Sequence, residues 1–331
     1  MAEIYWFCSD EQFQPEELVN HAMIAERAGF DGIMISEHFH PWVDDQGTSG
    51  FAFSTLGAIA AKTKHIKLMT AVTTPLFRFH PGIIAQAAAT IDRLSEGRFS
   101  LGVGTGENIN EAPLGFTLPP YKERADRLAE ASEIIERLLK GERLDYSGQY
   151  YKTASAKLYS PPLSFVPIYL AAGGPQSATL AGNSYDGLIV SVKNPLSSTL
   201  DLITAAKAQA KRDSFKVIAN LWTIYAKSED EAWTAIQAQR GLRAPSRSEA
   251  TNPLQLQTEA DALPRSEVLG KYRLLNSPKD FISAYAPLIT DLGADIVGIQ
   301  TTSIDQAATI AMLGQEVLPN LRKLKKEDSK L

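Results

Sequence analysis

Short runs of aliphatic and β-branched residues recur along the chain, separated by longer stretches in which apolar residues return every three or four positions. The short runs read as buried strands over 4–9, 32–36, 66–73, 99–105, 168–172, 187–191, 217–224 and 296–300. Between them, Leu18, Ala22 and Ala25 form one helical stripe. Ile84, Ala87, Ala88, Ile91 and Leu94 form another, stopped by Gly97. Strand and helix alternating almost from end to end predict a parallel sheet covered by helices, and eight strands predict that the sheet closes. The expected fold class is α/β, a single TIM (β/α)8 barrel over residues 1–331, a length such barrels routinely absorb as one domain.

Two segments interrupt the rhythm. Residues 144–157, rich in Tyr and containing Ser147-Gly148, predict a small hairpin on the rim. Residues 241–274 predict an insertion between strands seven and eight, of the kind that shapes a barrel active site.

Composition narrows the function classes. With 44% hydrophobic and 21% charged residues, the chain can bury a sizeable core without staples. The net charge of −5, with no basic stripe among aromatics, argues against a nucleic-acid partner. No apolar run approaches the ~18 residues that span a bilayer, and Met1-Ala2-Glu3 is not a basic leader, so a cytoplasmic protein with no membrane partner is expected. Cys8 stands alone, cannot form an internal disulfide, and reads as a small apolar residue of the first strand. The ending Ser329-Lys330-Leu331 matches a peroxisomal address that only a eukaryotic receptor reads, and the basic run 322–326 reads more simply as a solvated helix end.

Barrel enzymes gather their chemistry at the C-terminal ends of the strands. Those ends carry Asp10-Glu11, Glu37-His38-Phe39-His40, Thr73-Thr74, Thr105-Gly106-Glu107, Ala172-Gly173-Gly174, and Ser191 with Lys193. His38 and His40 are spaced to share a metal, but His21, His65 and His80 do not lie near strands five to eight, so no metal site is expected. The run Gly102-Val103-Gly104-Thr105-Gly106-Glu107 has Glu107 where a dinucleotide fingerprint needs glycine. Its alternating glycines suit the approach of a flat ring with Glu107 at its edge, or else tight packing inside the barrel. Ala171-Ala172-Gly173-Gly174-Pro175 opens a helix whose free N–H groups suit an anion.

Ser36-Glu37-His38-Phe39-His40-Pro41-Trp42, the Gly104–Glu111 run and Ala171–Pro175, in this order, resemble the luciferase-like monooxygenase superfamily. More narrowly the chain is similar to the branch of deazaflavin (coenzyme F420)-dependent glucose-6-phosphate and alcohol dehydrogenases, along nearly its whole length. The resemblance implies an oxidoreductase that moves a hydride between a small alcohol or carbonyl substrate and F420, and a homodimer is the expected assembly. It implies that His38 and Glu107 are acid/base groups and that Trp42 packs over the substrate. It places Thr74, Thr105, Gly106, Asn110, Gly173, Gly174, Gln176 and Ser177 against the cofactor, together with Glu37 and a non-proline cis peptide at Ala71-Val72. Substrate is expected near Glu11, Ser191, Lys193 and Lys271.

Those roles cohere chemically. Removing hydride from an alcohol carbon leaves a proton on oxygen for a histidine to take, while a desolvated glutamate can serve the ring. The chain also departs from the branch. Deazaflavin members usually have aspartate where Glu37 stands, and Glu-His is commoner among users of flavin mononucleotide (FMN), which makes an FMN oxidoreductase or monooxygenase the alternative. A non-catalytic flavin-binding barrel is a second alternative, set against the presence of both ionisable partners and Trp42. Thr258 replaces a phosphate-binding lysine and Lys271 lies near an arginine position, which weighs against a sugar phosphate substrate.

Overall fold

The computed structural model describes residues 1–325, so Ser329-Lys330-Leu331 lies outside the described residues. The chain opens with β1 (Glu3–Cys8), α1 (Pro15–Ala28), β2 (Gly32–Ile35), α2 (Ala52–Lys62), β3 (Lys67–Thr70), α3 (Pro81–Leu94) and β4 (Phe99–Val103). It continues with α4 (Asn108–Glu111), α5 (Tyr121–Leu139), the hairpin β5 (Leu144–Ser147) and β6 (Lys152–Ala156), β7 (Ile168–Ala171), α6 (Pro175–Ser184), β8 (Gly187–Ser191), α7 (Ser197–Lys207) and β9 (Lys216–Tyr225). After β9 come α8 (Glu229–Ile236), α9 (Pro253–Asp261), α10 (Arg265–Gly270), β10 (Arg273–Leu275), α11 (Pro278–Thr290), β11 (Ile296–Thr302), α12 (Gln306–Met312) and α13 (Leu318–Leu321).

Eight parallel strands close into the predicted barrel in the order β9-β11-β1-β2-β3-β4-β7-β8, with β8 pairing back to β9. Local signals start and stop the helices. Pro15 opens α1 with Glu16 and Glu17 in its first turn, and Gly29 ends it at φ 89°, a left-handed conformation that favours glycine. The barrel interior is filled by Tyr5, Phe7, Met34, Met69, Tyr169, Ile189, Ile218 and Ile296. A larger apolar layer, from Ile4 and Trp6 to Phe281 and Leu318, joins the outer faces of the strands to the helices. The cavity at the C-terminal mouth therefore stands on a packed floor.

The hairpin runs along α5, because the Glu130 carboxylate accepts the N–H groups of Gln149, Tyr150 and Tyr151, and the Tyr151 hydroxyl donates to Leu76 O at 2.7 Å. Two expectations need correction. The insertion begins before residue 241, since α8 already departs from β9 and packs its Ala232 and Ile236 with Ile224, Leu269 and Tyr272. Its strand β10 pairs with the outer end of β9 through Arg273 and Thr223. Arg322, expected as a solvated helix end, instead donates to Gly29 O and pairs with Asp31 at 2.9 Å.

Candidate active site

His38 sits just beyond β2 with only a tenth of its side chain exposed. Its Nδ1 lies 3.1 Å from His40 O and 3.3 Å from the Asn110 side-chain nitrogen. Its Nε2 is directed into the mouth, 3.2 Å from Glu11 Oε1 and 3.8 Å from Glu107 Oε2. Glu11 is fixed in turn by Ser36 Oγ, which donates to its other oxygen at 2.6 Å. Asn110 braces the loop: its Oδ1 accepts the N–H groups of Phe39 and His40 at 2.9 and 3.3 Å. Trp42 packs edge-on against the imidazole, with ring centroids 4.9 Å apart. His40 turns away from the cavity, stacks on Phe39, and has its imidazole pushed down by burial.

Glu107 caps the start of α4 and is 44% exposed. Its Oε1 accepts from Arg247 at 2.8 Å, and the Arg247 guanidinium also lies 5.1 Å from the Trp42 ring centre. Arg247 belongs to the insertion, which is strapped over the site. Asn108 donates to Glu249 O at 2.6 Å, and Trp42 and Ile109 pack with Leu242, Ala244, Ala250 and Leu256. Gly241 passes so close that a β-carbon there would stand 1.8 Å from Trp42 O.

Beneath the histidine lies a buried charge network. Arg78 grips Glu37 through two donors at 2.5 and 2.9 Å and donates to Glu111 at 3.1 Å. Thr73 Oγ1 adds a bond to Glu37 at 2.9 Å. Two carboxylates thus share one guanidinium, and burial pushes the Glu111 carboxyl up against the pull of Arg78. Asp10 lies nearby, wholly buried, with its carboxyl pushed up to about 8 by burial and then by Glu11.

The mouth encloses about 400 Å³, lined by Glu11, Glu37, His38, Trp42, Glu107 and Asn110 around a floor of small groups: Ala71, Val72, Gly104, Ala171 and Gly173. Thr74, Thr105, Gly106, Ser191 and Lys193 complete this wall. Thr105, Ala171 and Gly173 also border a second space of about 680 Å³, which adds Tyr121, Gly174, Gln176 and Ser177. Every anticipated site residue except Lys271 lines one of these two spaces. Lys271 ends α10, exposed to solvent and outside both linings. The peptide between Ala71 and Val72 is cis.

The glycine run divides its work between close packing and the cavity lining. A β-carbon at Gly102 would stand 2.0 Å from Thr70 O, so this glycine lets β4 approach β3. One at Gly104 would stand 2.7 Å from Val72 Cγ2, and Gly106 adopts φ 82° at the turn that delivers Glu107.

Sequence reasoning missed Arg78, Asn220, Trp222, Arg247 and Gln300. Asn220 and Gln300 did leave a signal, as polar residues inside otherwise apolar strand runs; they bond each other at 2.5 Å on the cavity wall. Among the described residues, Asn220 Oδ1 and Trp222 Nε1 have no hydrogen-bond partner. Arg78 and Arg247 lie in loops whose pattern carries no such mark.

His38 flanked by two glutamates, above a small-residue floor at a barrel mouth, leaves room for a flat ring beside ionisable groups. The luciferase-like monooxygenase model matches residues 2–279, and the chain belongs to that family. It is 37% identical to the F420-dependent glucose-6-phosphate dehydrogenase of Nakamurella multipartita, over 96% of this chain and 95% of that protein. It is 36% identical to the F420-dependent hydroxymycolic acid dehydrogenase of Mycobacterium tuberculosis, over 95% of this chain and 87% of that one. Among solved structures, an F420-dependent secondary alcohol dehydrogenase in complex with an F420-acetone adduct superposes with a TM-score of 0.88 at 27% identity, covering 97% of this chain and 99% of that one.

Proposed function

We infer that this chain is an F420-dependent oxidoreductase that moves a hydride between the deazaflavin and a small alcohol or carbonyl substrate, with His38 as the substrate's proton acceptor and donor. The observation that carries this reading is the His38 ring, held at Nδ1 by His40 O and the Asn110 side chain, with Nε2 facing the cavity between Glu11 and Glu107. That arrangement suits a group that must take a proton from an alcohol and return it.

The residues present fit such a cofactor. The floor of Ala71, Val72, Gly104, Ala171 and Gly173 leaves room for a flat ring, and the adjoining space beside Gly174, Gln176 and Ser177 suits an elongated anionic tail. Beta-carbons added at Gly173 and Gly174 would meet nothing within 4 Å, so this edge is open. When bound, F420 supplies a ring carbon that accepts or returns the hydride.

The chain's own groups do the rest. Nε2 of His38 takes the hydroxyl proton, and Glu11 stabilises the resulting imidazolium. Glu107 lines the cavity beside His38, its carboxylate paired with Arg247. Trp42 and Trp222 wall the site and exclude water. The resemblance of the FMN-using members rested on Glu37, whose carboxylate is committed to Arg78 and Thr73. Against a sugar phosphate stand Thr258, which donates to Leu254 O, and Lys271, which lies outside the cavity. A cytoplasmic homodimer belongs to the same reading, and sedimentation analysis of the purified chain tests the assembly.

Titration of the purified protein with F420 and with FMN, read by cofactor fluorescence, tests the reading. Tight F420 binding is expected. Tight FMN binding with none for F420 overturns it.

A further inference from the structure

The gap between His38 and Arg247 is spanned by a single carboxylate. Glu107 places Oε2 3.8 Å from His38 Nε2 and Oε1 2.8 Å from Arg247 Nη2. The two side chains therefore stand apart by just the width of a carboxyl group and its two contacts. The other acids of the wall are already held. Glu11 is engaged by Ser36 and His38, and Glu37 by Arg78 and Thr73. Glu107, by contrast, is 44% exposed, and Arg247 is 46% exposed. Their contact is a solvent-screened pair that costs little to exchange.

Arg247 is also well placed to act as a receptor. Its guanidinium is steadied over Trp42, and it lines the same cavity as His38. An arginine fork matches a planar carboxylate through two parallel bonds, a geometry lysine does not reproduce.

We propose that Arg247 is a specificity-determining residue that binds a carboxylate carried by the substrate next to its carbinol carbon, so that the preferred substrates are small hydroxy acids and their oxo acids. This rests on the alcohol oxidation proposed above. The substrate carboxylate takes the position on Arg247 that Glu107 occupies, and the neighbouring hydroxyl meets His38 Nε2. The C–H bond breaks with hydride leaving to the deazaflavin, the O–H proton passes to His38, and the C–O bond becomes the carbonyl of the oxo acid. Glu107, released from Arg247, faces the floor of the cavity.

Calorimetric titration of the full chain, with and without F420, using lactate and the neutral amide of the same shape, lactamide, tests this. The wild type is expected to prefer lactate. Arg247→Ala should weaken lactate roughly tenfold or more and remove the preference, with Arg247→Lys intermediate because the charge stays and the fork is lost. A thermal melt of each variant establishes that it is folded. A wild type without a lactate preference, including one that binds neither compound, overturns the proposal, as does a preference kept intact in Arg247→Ala. The readout is binding, so a failure of hydride transfer leaves it standing. Reduction of F420 by 2-propanol alongside no lactate preference sinks the carboxylate site alone.

Discussion

His38 Nε2 faces Glu11 Oε1 at 3.2 Å across the barrel mouth, joining the loop after β1 to the loop after β2. A carboxylate beside the ring stabilises the imidazolium that forms when His38 takes a proton. Glu11→Gln keeps the shape and removes the charge. It should lower kcat for alcohol oxidation by about tenfold to a hundredfold. An unchanged kcat would remove Glu11 from the proton chemistry.

Much of this arrangement was legible in the sequence, for physical reasons. Strands such as 187–191 and 296–300 are apolar because both faces of a parallel barrel are covered, and that burial is written into composition. His38 and Glu107 were found because they sit just past strand ends, where the fold sends side chains to one mouth, whereas Trp42 came only from the family resemblance. Arg78 and Arg247 were not. Each acts through partners distant in the chain, Arg78 with Glu37 and Glu111, Arg247 with Glu107, and loop residues have no periodicity to betray such pairing. The path of the hairpin along α5 was not legible for a similar reason: one carboxylate, Glu130, sets it.

Arg78 is the counter-charge of a buried cluster, with 5% of its side chain exposed against 2% for Glu37 and 0% for Glu111. Arg78→Ala leaves two carboxyl groups without it. Stability should fall by about 3–5 kcal/mol in denaturant titration at neutral pH. The loss should shrink in mild acid, since burial favours the neutral form of Glu111.

Asp10 makes stability depend on pH in the opposite sense to an ion-paired carboxylate. Burial and Glu11 raise its carboxyl from an ordinary 3.8 to about 8, so between those values the folded protein holds a proton that the unfolded chain has released. Its contribution to stability therefore declines as pH rises from about 4 to about 8 and is flat above. Asp10→Asn should flatten that slope and be more stable than the wild type at pH 8, as read by thermal melts across the range. A slope unchanged by the substitution would refute the assignment.

Gly241 permits the insertion to lie against Trp42. Gly241→Ala brings a β-carbon into the Trp42 carbonyl and must push the strap away. A loss of about 1–3 kcal/mol in stability is expected. KM should rise more than kcat falls, since Trp42 and Arg247 shift together while His38 keeps its brace on Asn110.

The central claim is that His38 moves the substrate proton while the floor and the adjoining groove hold the cofactor. Anaerobic reduction of bound F420 by a small alcohol, followed by absorbance in wild type and His38→Ala, tests it most directly. The account predicts that His38→Ala abolishes reduction while F420 affinity stays within about tenfold of wild type. Unchanged reduction kinetics in His38→Ala would contradict it.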